Sequence, residues 1–368
     1  DNKMERNYSI DFIKFFATVF VVCIHVNPSH DDFFLGNQEN VLDVIVDTFA
    51  RFAVPFFFIV SGYLFMNKIQ KHPKPSAYLK KYTWNISKLY ACWFIFYLLF
   101  GVVLRLFQNH GTLAERKGAV ADYLTSSITF KDIFYYGSDT SGFQLWYLIA
   151  LIWAVVIVFL FQRWKKIGLL MFISTVLYVT GLFGQSYSLF FPLSFQTRDA
   201  LFFGLFYTVL GAMFALYGKQ ILSVLNVRPM IYLASFFVFS ALEIVERYWL
   251  VNIQHSKPGD YFISTIFLSA SLFLFVLSSP SLGKNSFFSK VGKNSVGIYV
   301  VHICILNETY RLLRSIDSSF FTNSVVAYVL IVPVVFWCSY YLYRGIQWTK
   351  GKLHVKPHKH SFTKLQHK

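Results

Sequence analysis

The chain has 368 residues and a formal net charge of +16, yet 55% of it is hydrophobic, 20% aromatic and only 14% charged. Soluble domains carry about 25% charged residues and interrupt their apolar runs far sooner. A soluble enzyme is therefore excluded, and the composition points to an all-α, polytopic membrane protein.

Ten apolar segments follow in chain order, at residues 8–27, 44–66, 86–107, 144–162, 168–184, 200–217, 229–250, 261–279, 296–313 and 324–343. With the N-terminus placed in the cytoplasm, the inside connections hold 22 Lys/Arg and the outside ones far fewer. This asymmetry predicts ten transmembrane helices with both termini cytoplasmic. It also gives the positive charge a role in orientation and in contact with anionic lipids, not nucleic acid. The first segment, YSIDFIKFFATVFVVCIHV, is too long and too charged for a cleavable leader and lacks a small-residue cleavage site, so it is expected to remain as a helix.

The external loop 108–143 contains an amphipathic stretch near Leu113–Leu124, suited to lie on the surface or cover an outer cavity. Residues 1–345 read as one membrane domain and 346–368 as a basic, His-rich cytoplasmic tail facing lipid. Cys23, Cys92, Cys304 and Cys338 all lie in apolar runs without a CxxC pair, so neither a disulfide nor a metal site is expected. No internal repeat is visible, which weighs against inverted-repeat transporters.

The first segment carries Asp11, Lys14 and His25. Ionisable groups at bilayer depth are costly and mark functional sites by default. Their spacing places all three within roughly 60° on one helical face. At 1.5 Å per residue His25 lies about 21 Å beyond Asp11, so the two cannot pair. His25 needs a partner from another helix near the outer face. Asp47 and Arg51, Arg198 and Asp199, Glu243 and Glu308 are the candidates, with His302 nearer the middle. Lys14, Lys88, Asn294 and Ser295 sit at the inner side beside the lysine-rich loop. Helix one thus threads two polar zones, one on each face.

A histidine near neutral pKa is the natural base for activating a hydroxyl, and a carboxylate partner would hold its tautomer. Cytoplasmic lysines suit a phosphate-bearing donor. Group transfer from a cytoplasmic phosphorylated carrier to a hydroxyl at the outer face is the chemistry these residues suggest.

Five strings in order resemble the membrane-bound acyltransferase 3 family, and within it the ten-helix cell-envelope sugar O-acetyltransferases, of which the enterobacterial common antigen acetyltransferase is an example. They are Asp11, Lys14 and His25 on helix one; RFAVPFFFIVSGYLF from Arg51 to Phe65; FQLWYLIAL from Phe143 to Leu151; ALFFGLFYTVLGAMFA ending at Ala215; and NSVGIYVVH from Asn294 to His302. The resemblance implies an acyl-CoA donor, acetyl-CoA most often, with no bound cofactor, and a sugar hydroxyl of an envelope glycan or lipid-linked precursor as acceptor. It implies His25 as the essential catalytic histidine, with Asp11 and Lys14 serving the donor end. Arg51, Trp146 and His302 match positions lining the site.

Asp11 and Glu308 join His25 as candidate catalytic residues, Glu308 from its depth alone as a carboxylate partner for His25, and Arg198 is added as a site-lining residue. The chain departs from the family in having Lys14 where Arg is usual, and only Lys80, Lys81 and Lys88 where an Arg-rich element often stands. Trp146 reads equally as an aromatic-belt anchor, Arg51 as a helix tie to Asp47, and Ser61 and Gly62 as close-packing residues. The competing function is a transporter or flippase for an envelope glycan or its precursor.

Overall fold

The computed structural model describes residues 7–26, 40–108, 111–316 and 324–354. Most of the His-rich tail, from residue 355 onward, lies outside the described residues. The described residues are helical with no strands. Eight helical runs are long and apolar enough to cross a membrane: Tyr8–Val26, Val41–Lys71, Pro75–Phe107, Phe143–Arg163, Ala200–Leu225, Pro229–Ile253, Ser295–Leu313 and Ser324–Lys352. Two shorter apolar helices, Ile167–Leu182 and Ile263–Ser278, stand where the fifth and eighth segments are predicted. The chain is an all-α polytopic membrane protein.

In chain order the helices are α1 (Tyr8–Val26), α2 (Val41–Ala50), α3 (Ala53–Lys71), α4 (Pro75–Gln108), α5 (Leu113–Ser127), α6 (Trp146–Arg163), α7 (Ile167–Leu182), α8 (Leu205–Leu225), α9 (Pro229–Tyr248), α10 (Ile263–Ser278), α11 (Phe287–Gly292), α12 (Ser295–Ile316), α13 (Ser324–Val326) and α14 (Val332–His354). Hydropathy alone missed part of this division. The second apolar segment is two helices, because Pro55 has no N–H to give to the carbonyl of Arg51 and its ring crowds that carbonyl. The chain turns at Arg51 and Phe52 before α3 begins. The break sets Arg51 at a helix junction, free of the regular ladder.

Without a hydrophobic drive between helices in lipid, close backbone approach has to do much of the packing. Gly62 on α3 faces the Thr208 carbonyl of α8, and Gly211 on α8 faces the Ile59 carbonyl of α3; a Cβ at either position would overlap those atoms. Gly62 is thus a packing glycine, whereas the Ser61 hydroxyl meets the Tyr147 hydroxyl at 3.2 Å. At the other end of the bundle Gly292 of α11 lies against the Asp11 carbonyl of α1, which fixes the lysine-rich end of α1. The predicted amphipathic stretch is α5, opened by a capping box between Thr112 and Glu115. It lies against α4, where Arg105 covers the Tyr123 ring at 3.7 Å.

Candidate active site

His25 lies near the C-terminal end of α1 and is only partly buried. Its ring stacks on that of His302 from α12, with centroids 5.1 Å apart and planes at 29°. His302 is fully buried, and the structure brings it into direct contact with His25. A carbonyl can only accept, so the 2.7 Å contact from His302 Nδ1 to the Tyr299 oxygen fixes the proton on Nδ1. His302 Nε2 is then an acceptor, buried and without a partner among the described residues. Phe143 closes the other side of His25, edge-on at 5.0 Å. It is placed there by a short 3-10 turn, Phe143–Leu145, whose preceding Gly142 presses on the Tyr97 ring, where no Cβ would fit.

A network of arginines and carboxylates lies beside this pair. Arg51, at the α2–α3 break, makes a two-pronged contact with Asp47 at 2.8 and 2.9 Å. Its other amino group reaches Asp260 at 2.5 Å. Asp260 also accepts from Arg198 at 2.9 Å. Arg247 from α9 completes the cluster, 2.5 Å from Asp47 and 3.1 Å from Thr48. His25 lies in the electrostatic field of His302, Arg198, Arg51 and Asp260. Two donors in the cluster, Arg51 Nε and Arg198 Nε, are buried without a partner among the described residues. Burial by itself would raise the Asp260 carboxyl, but the guanidinium groups of Arg198 and Arg51 outweigh it and hold that carboxyl at about 2. The Asp260 loop is stitched to the loop after α7 by Asp260 N–H to the Gln185 side chain at 3.0 Å and by Ser186 to the Tyr261 carbonyl at 2.6 Å.

The structure thus gathers His25, His302, Arg51, Arg198 and Trp146. Trp146 is 7% exposed and carries the Arg198 guanidinium 5.5 Å from its ring, which is not the setting of a lipid-facing anchor. Other predicted residues lie elsewhere. Asp11 and Lys14 pair with each other at 3.9 Å at the opposite end of α1. Glu308 pairs with Arg311 at 2.5 Å in a partly exposed position, and no hydrogen bond joins it to either histidine among the described residues. Asp199 caps the turn that opens α8, accepting from Phe202 N–H and the Tyr135 hydroxyl, both at 2.9 Å; burial pushes its carboxyl up. Glu243 accepts from Thr265 on α10. Lys80, Lys81 and Lys88 are exposed along α4.

Sequence reasoning missed Asp260, which sits in a loop with no span to give it a depth, and counted Arg247 as an ordinary outside charge. The latter had a signal: it falls in the last turn of α9, inside an apolar run. Among the described residues no group of three or more His, Cys, Asp or Glu is placed to hold a metal ion.

Residues 7–344 match the acyltransferase 3 family, described as an acyltransferase domain. The chain belongs to that family. It is 25% identical over 377 aligned positions to an amino-acid racemase of Enterococcus faecalis, covering 97% of this chain and 48% of that protein. It is 24% identical over 356 positions to a serine/alanine racemase of Enterococcus gallinarum, covering 91% of this chain and 46% of that one. The chain therefore spans about half the length of the curated relatives it matches. No solved structure matches it at a significant level. The constellation around His25 is the candidate centre of this family member.

Proposed function

We propose that this acyltransferase is a multi-pass protein of the bacterial cytoplasmic membrane with its lysine-rich end inside. It moves an acyl group, acetyl above all, from cytoplasmic acyl-CoA to a sugar hydroxyl of an envelope or secreted glycan or its lipid-linked precursor. The observation that carries the reading is the His25–His302 pair beside two guanidinium groups, each with an unused buried N–H. His25, reachable and making no hydrogen bond to protein among the described residues, takes the proton of the acceptor hydroxyl. The alkoxide attacks the thioester carbonyl. The negative charge that develops there falls to Arg51 and Arg198, whose Nε donors are preorganised by Asp47 and Asp260. The proton then leaves His25 for the departing thiolate, which gives free CoA thiol and the ester. A covalent variant, with the acyl group resting on His25, uses the same residues and is separated by trapping labelled acyl-enzyme without acceptor.

The test is thiol release from acetyl-CoA by purified protein in lipid. Wild type should turn over and His25→Ala should fall at least about a hundredfold, the usual scale for losing a general base, while eluting as folded protein. Equal rates in the two would remove His25 from the mechanism.

The relatives' length and printed names favour a second reading. In that reading a bundle of this kind moves an amino acid across the membrane for an attached racemase. It expects uptake of labelled serine or alanine into vesicles and no acyl-CoA turnover.

A further inference from the structure

Tyr97 is unlike its neighbours on α4. That helix turns most of its surface outward, and Ile95, Phe96 and Leu99 are exposed, whereas Tyr97 is fully buried. Phe would fill the same space, and a buried hydroxyl costs free energy unless it is bonded. The Tyr97 hydroxyl is bonded, and to a single turn of α12. It donates to the Val300 carbonyl at 2.7 Å and accepts the Cys304 N–H at 3.3 Å. Residues 300 and 304 are partners in the regular i to i−4 ladder of a helix. The hydroxyl therefore sits in that step of the ladder, the kind of insertion that bends a helix locally.

His302 lies within the step. Its Nδ1–H goes to the Tyr299 carbonyl at 2.7 Å. The next carbonyl, that of Val300, takes a second side-chain donor, the Gln144 amide, at 3.2 Å. Tyr299 in return gives its hydroxyl to the Gln144 carbonyl at 2.6 Å. Two successive carbonyls of α12 thus hold side-chain donors, and the direction of the first sets the tautomer and azimuth of His302. The same tyrosine reaches the other side of the histidine pair. Gly142 is pressed on the Tyr97 ring, and the residue after it is Phe143, edge-on to His25.

Tyr97 is itself held by α5. Its carbonyl accepts from the Tyr123 hydroxyl at 3.0 Å, and that hydroxyl accepts the Ser141 N–H at 3.1 Å. Tyr123 is buried, with Arg105 over its ring. A run of contacts therefore joins α5 through Tyr97 to the turn that carries His302.

We propose that Tyr97 is a positioning residue for the histidine pair: its hydroxyl, set between Val300 and Cys304, holds the turn of α12 that aims His302 at His25, and Tyr123 holds Tyr97. Without the hydroxyl the Cys304 N–H closes on the Val300 carbonyl, the turn tightens, and the Tyr299 carbonyl and the His302 ring move with it. The consequence for rate rests on the acyltransferase reading above; the placement of the His302 proton does not.

Tyr97→Phe keeps the ring against Gly142 and removes only the hydroxyl. Tyr90→Phe makes the same change two turns away on α4, where the hydroxyl bonds the Ile133 carbonyl at 2.9 Å. The first readout is ring nitrogen-15 NMR of histidine-labelled protein in lipid, with the His302 signals assigned by their loss in His302→Asn. Wild type should show a proton on Nδ1 of His302 and none on Nε2. Tyr97→Phe should move these signals toward a mixture of tautomers, Tyr123→Phe should move them the same way by less, and Tyr90→Phe should leave them in place. The second readout is thiol release. A displacement of about 1 Å can cost up to about a hundredfold in rate, so Tyr97→Phe should lower kcat about tenfold with KM for acetyl-CoA within about twofold, and Tyr90→Phe should keep both within about twofold.

His302 signals unchanged in Tyr97→Phe, an equal shift in Tyr90→Phe, or a loss expressed in KM alone would overturn the assignment. If Tyr97→Phe does not elute as folded protein, Tyr123→Phe decides, and unchanged His302 signals there would overturn it. Failure of the acyltransferase reading looks different: no thiol release from wild type, with the His302 signals still dependent on the Tyr97 hydroxyl. That pattern would uphold the positioning of His302 and remove only the chemistry assigned to it.

Discussion

Asp260 joins the two arginines beside His25, and its replacement by Asn puts the clamp to a quantitative test. The carboxylate gives one oxygen to Arg51 at 2.5 Å and the other to Arg198 at 2.9 Å. Asn keeps one acceptor and points an amide N–H at the second guanidinium. Held from an ordinary value of 3.8 down to about 2, the carboxylate contributes about 2.5 kcal/mol at neutral pH by linkage. Its side chain is 28% exposed, and solvent screening trims the expected loss to about 2 kcal/mol. That corresponds to a fall in Tm of roughly 3–6 °C.

The pH dependence has a definite sign. The folded value lies below the unfolded one, so the contribution is complete above about pH 4 and fades as pH falls through about 2. Wild type should lose this increment across that window, and Asp260→Asn should lack it already at pH 7. Thermal unfolding in detergent, followed by near-UV circular dichroism at a series of pH values, reads both effects. Equal Tm at pH 7, or the same acid dependence in the two proteins, would refute the clamp. Thiol release should fall with stability restored by lipid, because Arg198 loses its carboxylate partner Asp260 and its position over Trp146.

Two further substitutions probe the frame and the limits of the site. Gly62→Val drives a side chain into the Thr208 carbonyl and should cost at least about 2 kcal/mol through overpacking, seen as loss of the monodisperse peak in size-exclusion chromatography; Gly118→Val, in open space, should elute as wild type. Glu308→Gln removes the pair with Arg311 and should leave thiol release within about twofold of wild type, whereas a tenfold loss would return Glu308 to the catalytic centre.

Much of this architecture is legible in residue order. Apolar runs of span length become helices because lipid offers no partners to exposed backbone groups, and all ten predicted segments are helical in the structure. The tie between Arg51 and Asp47 is also legible, since residues four apart on a helix share a face. Pro55 signalled the break that positions Arg51, a signal that a hydropathy window averages away.

Residue order by itself determined that this is a many-helix membrane protein and that helix one carries a histidine at one end and a charged pair at the other. Local periodicity and the cost of burying charge suffice for that. Only the tertiary structure decided which groups meet. His302 stacks on His25 from 277 residues away in a chain whose numbering is fixed. Asp260 enters from a loop to join Arg51 and Arg198, and Glu308 turns to Arg311 instead. Depth along a helix follows from rise per residue, but azimuth against neighbouring helices does not. It is set by which small residues let backbones approach, as Gly62 and Gly211 do between α3 and α8, and that choice is made only when the whole bundle closes.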